Sequence, residues 1–294
     1  MSDSQIRSAG ATARTWSYWG YVRSCIVKRR VTMVSLVVVL ILTISAIAAP
    51  LFAPYSPRAQ DWGHMLEGPS GRFLLGTDEL GRDILSRIIF GARVSLAVGF
   101  VSVSISMVLG VVLGAVAGFY GGWADTIIMR ITDILFAFPS LLFAIAIMFA
   151  LGPGLMNVFI ALGIIGWAGI ARMIRGLVLQ FKEAPFVEAS VAAGASNSRI
   201  IWRHIMPNCL PTIIVLITLY IPGAIMSEAS LSFLGLGAQP PTPTWGSMIY
   251  EARQYIRQVP TYSLFPGLAI MVTVLAFNLL GDGLRDILDP KLKT

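Results

Sequence analysis

The sequence predicts an all-α integral membrane protein with six transmembrane helices and both termini in the cytoplasm. Of its 294 residues, 56% are hydrophobic and only 13% are charged, whereas an average soluble chain is about 25% charged. Six stretches are apolar over the length needed to cross a bilayer, which is about 20 residues for a helix. With both termini inside, fifteen of the 22 Lys and Arg residues fall on the cytoplasmic side, which agrees with the positive-inside rule.

Composition also excludes several other classes of protein. The mean hydropathy of +0.76 is too high for a soluble or disordered chain. The two cysteines, Cys25 and Cys209, lie far apart in or beside apolar stretches, so we expect small buried side chains rather than a disulfide scaffold. The formal charge of +7 suits membrane lipid, and no soluble face gathers the basic residues in a way that would suit nucleic acid.

The predicted spans follow one another along most of the chain. They cover residues 31–53, 94–119, 131–151, 156–174, 211–229 and 263–280. The first span could be read as a cleaved signal peptide, because Ala46-Ile47-Ala48 has the small-x-small pattern of a cleavage site. A start-transfer anchor is favoured, because about 30 residues precede the span and its apolar run exceeds an ordinary signal core.

These spans divide the chain into predicted regions. The regions are a cytoplasmic tail (1–30), the first span (31–53), an outer loop with an amphipathic helix (54–93), a core of five spans (94–283) and a second cytoplasmic tail (284–294). The core contains an inner loop at 181–207 and a second outer loop at 231–262. Long connections often carry function, so these loops are the first places to look for a site.

The inner loop is the most informative connection. Pro185 suits the first turn of a short helix, and Gly194 suits its end. Ser196 then suits the N-cap of a second short helix, which Pro207 limits. Glu188 is the one strong charge on the first helix, whose other side chains are small enough for another body to approach closely. The alternative interpretation of Glu188 is an ordinary solvated helix charge.

The inner loop resembles the EAA loop of ABC-importer permeases. The matching residues are Glu188-Ala189, Gly194 and Ile205-x-Pro207, and the departures from the usual pattern are Ser190 and Met206. Three further stretches resemble the C-type dipeptide and oligopeptide permeases of that family, namely Leu75–Asp83, Ser232–Pro243 and Asn278–Asp286. The resemblance covers about residues 30–294.

This resemblance implies a type I ABC-importer permease fold in a multi-pass protein of the bacterial inner membrane. It implies that a coupling helix sits in a cleft of a cytoplasmic ATPase, with Glu188, Ala189, Gly194 and Pro207 as the ATPase-coupling residues. The implied partners are two ABC ATPase subunits, a homologous B-type permease chain and a periplasmic binding protein. ATP and Mg²⁺ would be bound by the ATPase subunits, so this chain needs no cofactor. The implied substrate is a di- or oligopeptide, with glutathione and nickel chelates as alternatives from the same broader group.

Prolines interrupt three of the predicted spans, at Pro139, Pro222 and Pro266. Each proline frees backbone groups that need a buried or wet setting at membrane depth, so the interruptions mark either a permeation path or kinks that only shape packing. The path candidates are Pro139, Ser140, Pro222, Gly223, Met226 and Glu228. Glu228 lies near the outer end of the fifth span and faces either a cavity or the headgroups, and we favour the headgroups.

The first outer loop is predicted to contain an amphipathic surface helix, capped by Thr77 or Asp78. Asp83 and Arg87 are four residues apart and form a favourable helical pair in this prediction. The helix either touches a binding protein or simply lies in the membrane interface. The candidate periplasmic contacts are Asp78, Arg82, Asp83, Gln239 and Trp245.

Gly110, Gly114 and Gly118 form a ladder of small residues on the second span. Such a ladder lets a neighbouring helix approach backbone to backbone. We expect the neighbour to belong to this chain, and a dimer contact is the alternative.

Motifs for chemistry are missing from the sequence. It has no Gly-Lys pair, and therefore no phosphate-binding loop, and no His-Glu-x-x-His zinc motif. The spacing of His64, Asp78, Glu79 and Asp83 matches no ligand pattern, so we predict neither a metal site nor catalytic residues. The rival classes are a secondary transporter or channel, which needs no ATPase, and an intramembrane enzyme, which needs catalytic pairs that the spans do not offer.

Overall fold

The computed structural model describes residues 29–288 as a bundle of helices. The helices are α1 (Arg30–Ile47), α2 (Ala49–Phe52), α3 (Ile84–Tyr120), α4 (Gly122–Ala137), α5 (Ser140–Leu151), α6 (Leu155–Lys182), α7 (Pro185–Ala192), α8 (Asn197–Phe233), α9 (Trp245–Ala252) and α10 (Pro260–Leu288). Within these residues there is no strand, only one isolated bridge between Thr77 and Asp83. The predicted tails, apart from residues 29, 30 and 284–288, and Cys25 lie outside the described residues.

Five helices, α1, α3, α6, α8 and α10, are long and apolar enough to cross a membrane. Helices α4 and α5 pass the same test only as a pair, and they meet at 95°. The predicted interruption of the third span at Pro139 is therefore confirmed, and it divides the span into two helices. The break lies at Phe138, whose backbone is extended (φ −107°, ψ 142°) because the residue before a proline avoids the helical region.

The long helices define two ends of the bundle. Helix α3 begins after the segment 53–83, and α6 runs parallel to α3 and leads into α7. We call the end that carries 53–83, α9 and the start of α10 the outer end. We call the end that carries α7 and the start of α8 the inner end, which is the end that the distribution of Lys and Arg assigns to the cytoplasm.

The glycine ladder brings α3 and α6 together, as expected for packing within the chain. A Cβ atom at Gly110 would lie 2.6 Å from the Ile170 side chain, and one at Gly114 would lie 2.5 Å from the Ala171 carbonyl oxygen. Since real Cβ atoms do not approach so closely, only glycine allows this contact. The prediction of intrachain packing is confirmed.

The largest buried cluster lies in the inner half of the bundle. It joins α3, α6, α7 and α8 through fully buried side chains such as Ile170, Ile174 and Ile205. Cys209 belongs to this cluster and is a free, fully buried thiol, which confirms the expectation of a small buried side chain. The cluster is the base on which the inner loop rests.

Two predicted boundaries are wrong at the ends of spans. The expected surface helix of the first outer loop does not exist as a separate element, because α3 begins at Ile84 and continues without a break to Tyr120. Its N-cap is Asp83, whose carboxylate accepts a hydrogen bond from the Ser86 backbone at 2.8 Å, rather than Thr77 or Asp78. Because Asp83 caps the helix, the residues before it lie outside the helix, in the outer loop.

Candidate functional site

The inner loop folds as one short helix, α7, between two long ones. Pro185 occupies the first turn and Gly194 follows the helix with φ +77°, a conformation that glycine adopts without strain. Both features of the sequence prediction are therefore confirmed. Seven of the eight residues of α7 are not buried, among them Glu188 and Ala189, and the exception is Val187 at 3% exposure.

Two apolar side chains, Val187 and Phe186, attach α7 to the bundle. Val187 packs into the large cluster beside Ile200 and Ile205 of α8. The centroids of the Phe181 and Phe186 rings lie 6.3 Å apart, and the two rings support the turn that leaves α6. Within the described residues the Glu188 carboxylate makes no hydrogen bond or ion pair, so the helix presents an unpaired acid and small side chains outward.

The predicted second short helix is wrong, because α8 continues through Pro207 as far as Phe233. The start of α8 contains a π-helical segment, Ile200–Ile205, after which the Met206 backbone donates to the Ile201 carbonyl five residues earlier. This wider spacing lets the helix absorb a proline that lacks a donor. Pro207 is exposed but lies beyond α7, at the start of the span.

Ion pairs attach the inner half of the broken span to α6. Arg175 binds both carboxylate oxygens of Asp125 on α4, at 2.5 and 2.6 Å, and Arg172 binds Asp133 at 2.7 Å. The Arg172 guanidinium also lies 4.5 Å from the centre of the Phe136 ring. Because α6 leads directly into α7, these contacts connect the inner loop to the helix that ends at the break at Phe138.

The path candidates separate into two groups. Ser140 and Gly223 line one cavity, and Met226 lines a second. Pro139 and Pro222 line neither: Pro139 lies at the break between α4 and α5, and Pro222 lies inside α8. Ser140, Gly223 and Met226, rather than the prolines, therefore line the cavities.

Glu228 does not lie at the headgroups, so our preferred interpretation of this residue is wrong. Its side chain is 0% exposed and lines neither cavity. The carboxylate accepts hydrogen bonds from the Ser232 hydroxyl at 2.6 Å and from the Ser95 hydroxyl at 3.4 Å. Glu228 thus connects α8 to α3 inside the protein.

The outer end contains a buried group of charges, which we call the outer charge network. Its members are Asp78, Glu79, Arg82, Arg87, Glu251 and Tyr262. The Arg82 side chain binds Asp78 at 2.6 Å and Glu251 at 3.1 Å. Arg87, only 2% exposed, pairs with Asp78 and with Glu251, so the expected pairing of Asp83 with Arg87 is wrong.

Burial corrects four of the five candidate periplasmic contacts. Asp78, Arg82, Asp83 and Trp245 are all at most 6% exposed, because they bind other parts of the same chain. The Trp245 indole donates to the Ile88 carbonyl at 3.0 Å and is closed in by α3. Only Gln239 is exposed, and it remains a candidate for contact with another protein.

Two members of the outer charge network were missed by the sequence prediction. Glu251 lies on α9 and Tyr262 at the start of α10, more than 160 residues from Arg87. The Tyr262 hydroxyl donates to Glu79 at 2.6 Å and closes the network. No spacing rule connects positions so far apart, so only the fold brings them together.

The outer carboxylates do not form an open metal site. Oxygens of Asp78, Glu79 and Glu251 lie within 4.8 Å of one another, but Arg82 and Arg87 already form ion pairs with all three carboxylates. His64, the histidine of the predicted group, bonds to Asp61 instead. That hydrogen bond holds the pKa of the Asp61 carboxyl below its ordinary value.

Two models of known protein families match this chain. A family model described as a binding-protein-dependent transport system inner membrane component matches residues 110–294, and one described as the N-terminal TM domain of oligopeptide transport permease C matches residues 17–69. Among relatives, the dipeptide transport system permease protein DppC of Alkalihalophilus pseudofirmus is 46% identical over 267 residues, which cover 91% of this chain and 88% of that protein.

Two further comparisons extend the result. The glutathione transport system permease protein GsiD of Pectobacterium atrosepticum is 49% identical over 257 residues, which cover 87% of this chain and 85% of that protein. A solved inward-facing structure of the MetNI methionine ABC transporter matches with a TM-score of 0.58 at 22% identity, covering 69% of this chain and 97% of the matched chain, which shows the type I ABC-importer permease fold. The chain therefore belongs to the family of binding-protein-dependent transport system inner membrane components.

Proposed function

We propose that this chain is the C-type permease subunit of an ATP-driven importer that carries di- or oligopeptides across the bacterial inner membrane. The observation that carries the proposal is α7, an exposed inner helix with an unpaired Glu188 and a small Ala189, in a chain of this family. A helix in which only Val187 is buried is suited to docking in a cleft of a cytoplasmic protein.

The partners in this proposal are two cytoplasmic ABC ATPase subunits, a homologous B-type permease chain and a periplasmic binding protein. ATP and Mg²⁺ are bound by the ATPase subunits, and this chain performs no chemistry. The family description names binding-protein-dependent transport, which supports a delivering protein on the outer side. Gln239 is the exposed outer residue that we assign to that contact.

The proposed mechanism is mechanical. Closure of the ATPase pair on ATP displaces α7, and α6 passes the displacement to α4 through Arg175–Asp125 and Arg172–Asp133. The break before Pro139 then changes the angle between α4 and α5 and so changes which side of the membrane the central space faces. The driving free energy is the higher affinity of ATP for the closed ATPase pair.

The Glu188→Lys variant tests this function. We expect peptide uptake to fall by about tenfold or more and ATPase association to weaken, because the charge at the docking contact is reversed. The matched control is Glu183→Lys, an exposed acid that precedes α7, which should retain uptake. Membrane insertion is measured for both variants, and normal uptake by an inserted Glu188→Lys chain would contradict the proposal.

Glutathione is the second candidate substrate, since a glutathione permease is 49% identical to this chain. Uptake by the reconstituted complex is measured with labelled dipeptides, oligopeptides, glutathione and a nickel chelate, with and without ATP. We expect ATP-dependent uptake of peptides. Equal uptake without ATP would instead support the rival secondary transporter or channel.

A further inference from the structure

Two cavities lie next to each other along α8, in the membrane-spanning part of the chain. The first has a volume of about 300 Å³ and is lined in part by Ser140, Tyr220 and Ser227. The second has a volume of about 390 Å³ and is lined in part by Met226 and Ser230. These volumes are at the lower end of the range for small-molecule sites, about 300–1,000 Å³.

The cavities exist because the third span is broken. After the 95° bend, α5 packs against α6 and not closely along α8, which leaves a gap between α5 and α8. Leu141, the second residue of α5, lines both cavities, whereas the adjacent Leu142 lines neither. Leu141 therefore lies between the two cavities.

The gap exposes one face of α8 that is rich in hydroxyl groups. Tyr220, Gly223, Ser227 and Ser230 follow a spacing of three or four residues, so they lie on one side of the helix. Ser227 and Ser230 are partly exposed and donate to backbone carbonyls at 2.8 and 2.9 Å, which leaves their oxygens free to accept. Within the described residues, the hydroxyls of Ser140 and Tyr220 have no hydrogen-bond partner and are free to donate.

Neither cavity is lined by a charged side chain from the described residues. The walls combine neutral hydroxyls with aliphatic side chains, which matches uncharged main-chain amides better than charged termini or metal ions. A hydroxyl without a hydrogen-bond partner is poorly placed against lipid, which offers it none. The free hydroxyls of Ser140 and Tyr220 in the first cavity therefore indicate a wet, solute-facing surface.

We propose that the hydroxyl face of α8, together with Ser140, binds the main-chain amides of the transported peptide, and that Leu141 is the constriction between the two cavities. This inference rests on the proposed import function and adds the chemical group that is recognised. Neutral hydrogen bonds hold a solute weakly, as transport requires, because a tightly bound solute would not leave.

The first test substitutes neighbouring leucines in the assembled complex. Leu141→Trp should lower peptide uptake by about tenfold, because the indole narrows the constriction, while Leu142→Trp should change uptake by less than about twofold. Complex assembly and binding-protein-stimulated ATP hydrolysis should remain in both variants. Full uptake by Leu141→Trp, or equal loss in both variants, would overturn the role of Leu141.

The second test uses thiol accessibility, with Cys25 replaced by serine and the buried Cys209 retained as the background. Ser227→Cys and Ser230→Cys should react with a water-soluble thiol reagent, and excess transported dipeptide should slow the reaction. Met271→Cys, at an exposed α10 position that lines neither cavity, should not react. Unreactive Ser227→Cys and Ser230→Cys would mean that lipid or the second permease chain covers this face, which overturns the proposal. Unmodified complex that imports no peptide would instead contradict the proposed function.

Discussion

The outer and inner ends of this protein use charged residues in opposite ways. At the outer end, Arg87 and Asp78 are at most 2% exposed and bind groups of their own chain. At the inner end, Glu188 is exposed on α7 and has no partner among the described residues. The difference teaches that a charged motif in a loop does not by itself mark a contact surface.

The two ends differ because of residues that lie far away in the sequence. Glu251 and Tyr262 come from α9 and α10 and enclose the outer charge network. Among residues 29–288, α7 has its contacts mostly with the adjoining ends of α6 and α8, and no distant segment encloses it. We infer that the outer network holds helices together, while the inner helix is kept free for another protein.

The largest effect that would test this comparison is expected from Arg87→Met. Removing the guanidinium leaves buried carboxylates without their partner, which typically costs about 3–5 kcal/mol of unfolding free energy. The measurement is denaturation of the purified protein in detergent. The double variant Arg87→Met/Glu251→Gln should recover part of the loss, because it also removes one carboxylate.

Arg253→Met is the control on the same end, since Arg253 is exposed and should contribute no more than about 1 kcal/mol. Equal destabilisation by Arg87→Met and Arg253→Met would break the contrast between a buried network and an ordinary surface.

A smaller effect is expected at the first turn of α3. Asp83→Ala removes the N-cap acceptor of the Ser86 backbone, at a cost of about 0.5–2 kcal/mol. Asp83→Asn keeps an acceptor and should be nearly neutral. If both variants lost the same stability, the role of Asp83 would be that of a charge rather than a cap.

The smallest effect on stability is expected at the inner end, from Arg175→Gln. The Arg175–Asp125 pair is partly exposed, with 32% and 21% of the two side chains accessible, so we expect a loss of about 0.2–1 kcal/mol. The effect on peptide uptake should be larger than the effect on the free energy of unfolding, because this pair is proposed to transmit motion from α6 to α4. Unfolding and ATP-dependent uptake are measured on the same preparation, and unchanged uptake would contradict that transmission.

Local patterns predicted much of the inner end. Pro185 and Gly194 delimit α7 because a proline fits a first helical turn and a glycine fits a positive φ. The ladder at Gly110 and Gly114 predicted close helix packing for an equally local reason, the absence of a Cβ atom. These features depend on single residues and their near neighbours.

Local patterns failed where a partner in space decides the outcome. The predicted end at Pro207 did not occur, because the π-helical segment before it accommodates the proline. The amphipathic pattern around Arg87 predicted a solvated face, but Glu251 buries that face in an ion network. The hydroxyl face at Ser227 has an ordinary helical spacing, and only the bend before α5 leaves it open.

The sequence by itself determined that the chain is a helical membrane protein of this permease family with a short exposed inner helix. Hydropathy, helix caps and motif spacing depend on neighbouring residues, so they can be read along the chain. Only the tertiary structure decided which charges are buried, how sharply the third span bends and which hydroxyls face open space. Those outcomes depend on contacts between helices that are distant in sequence, and burial changes the free energy of a charge or a hydroxyl far more than its neighbours in sequence do.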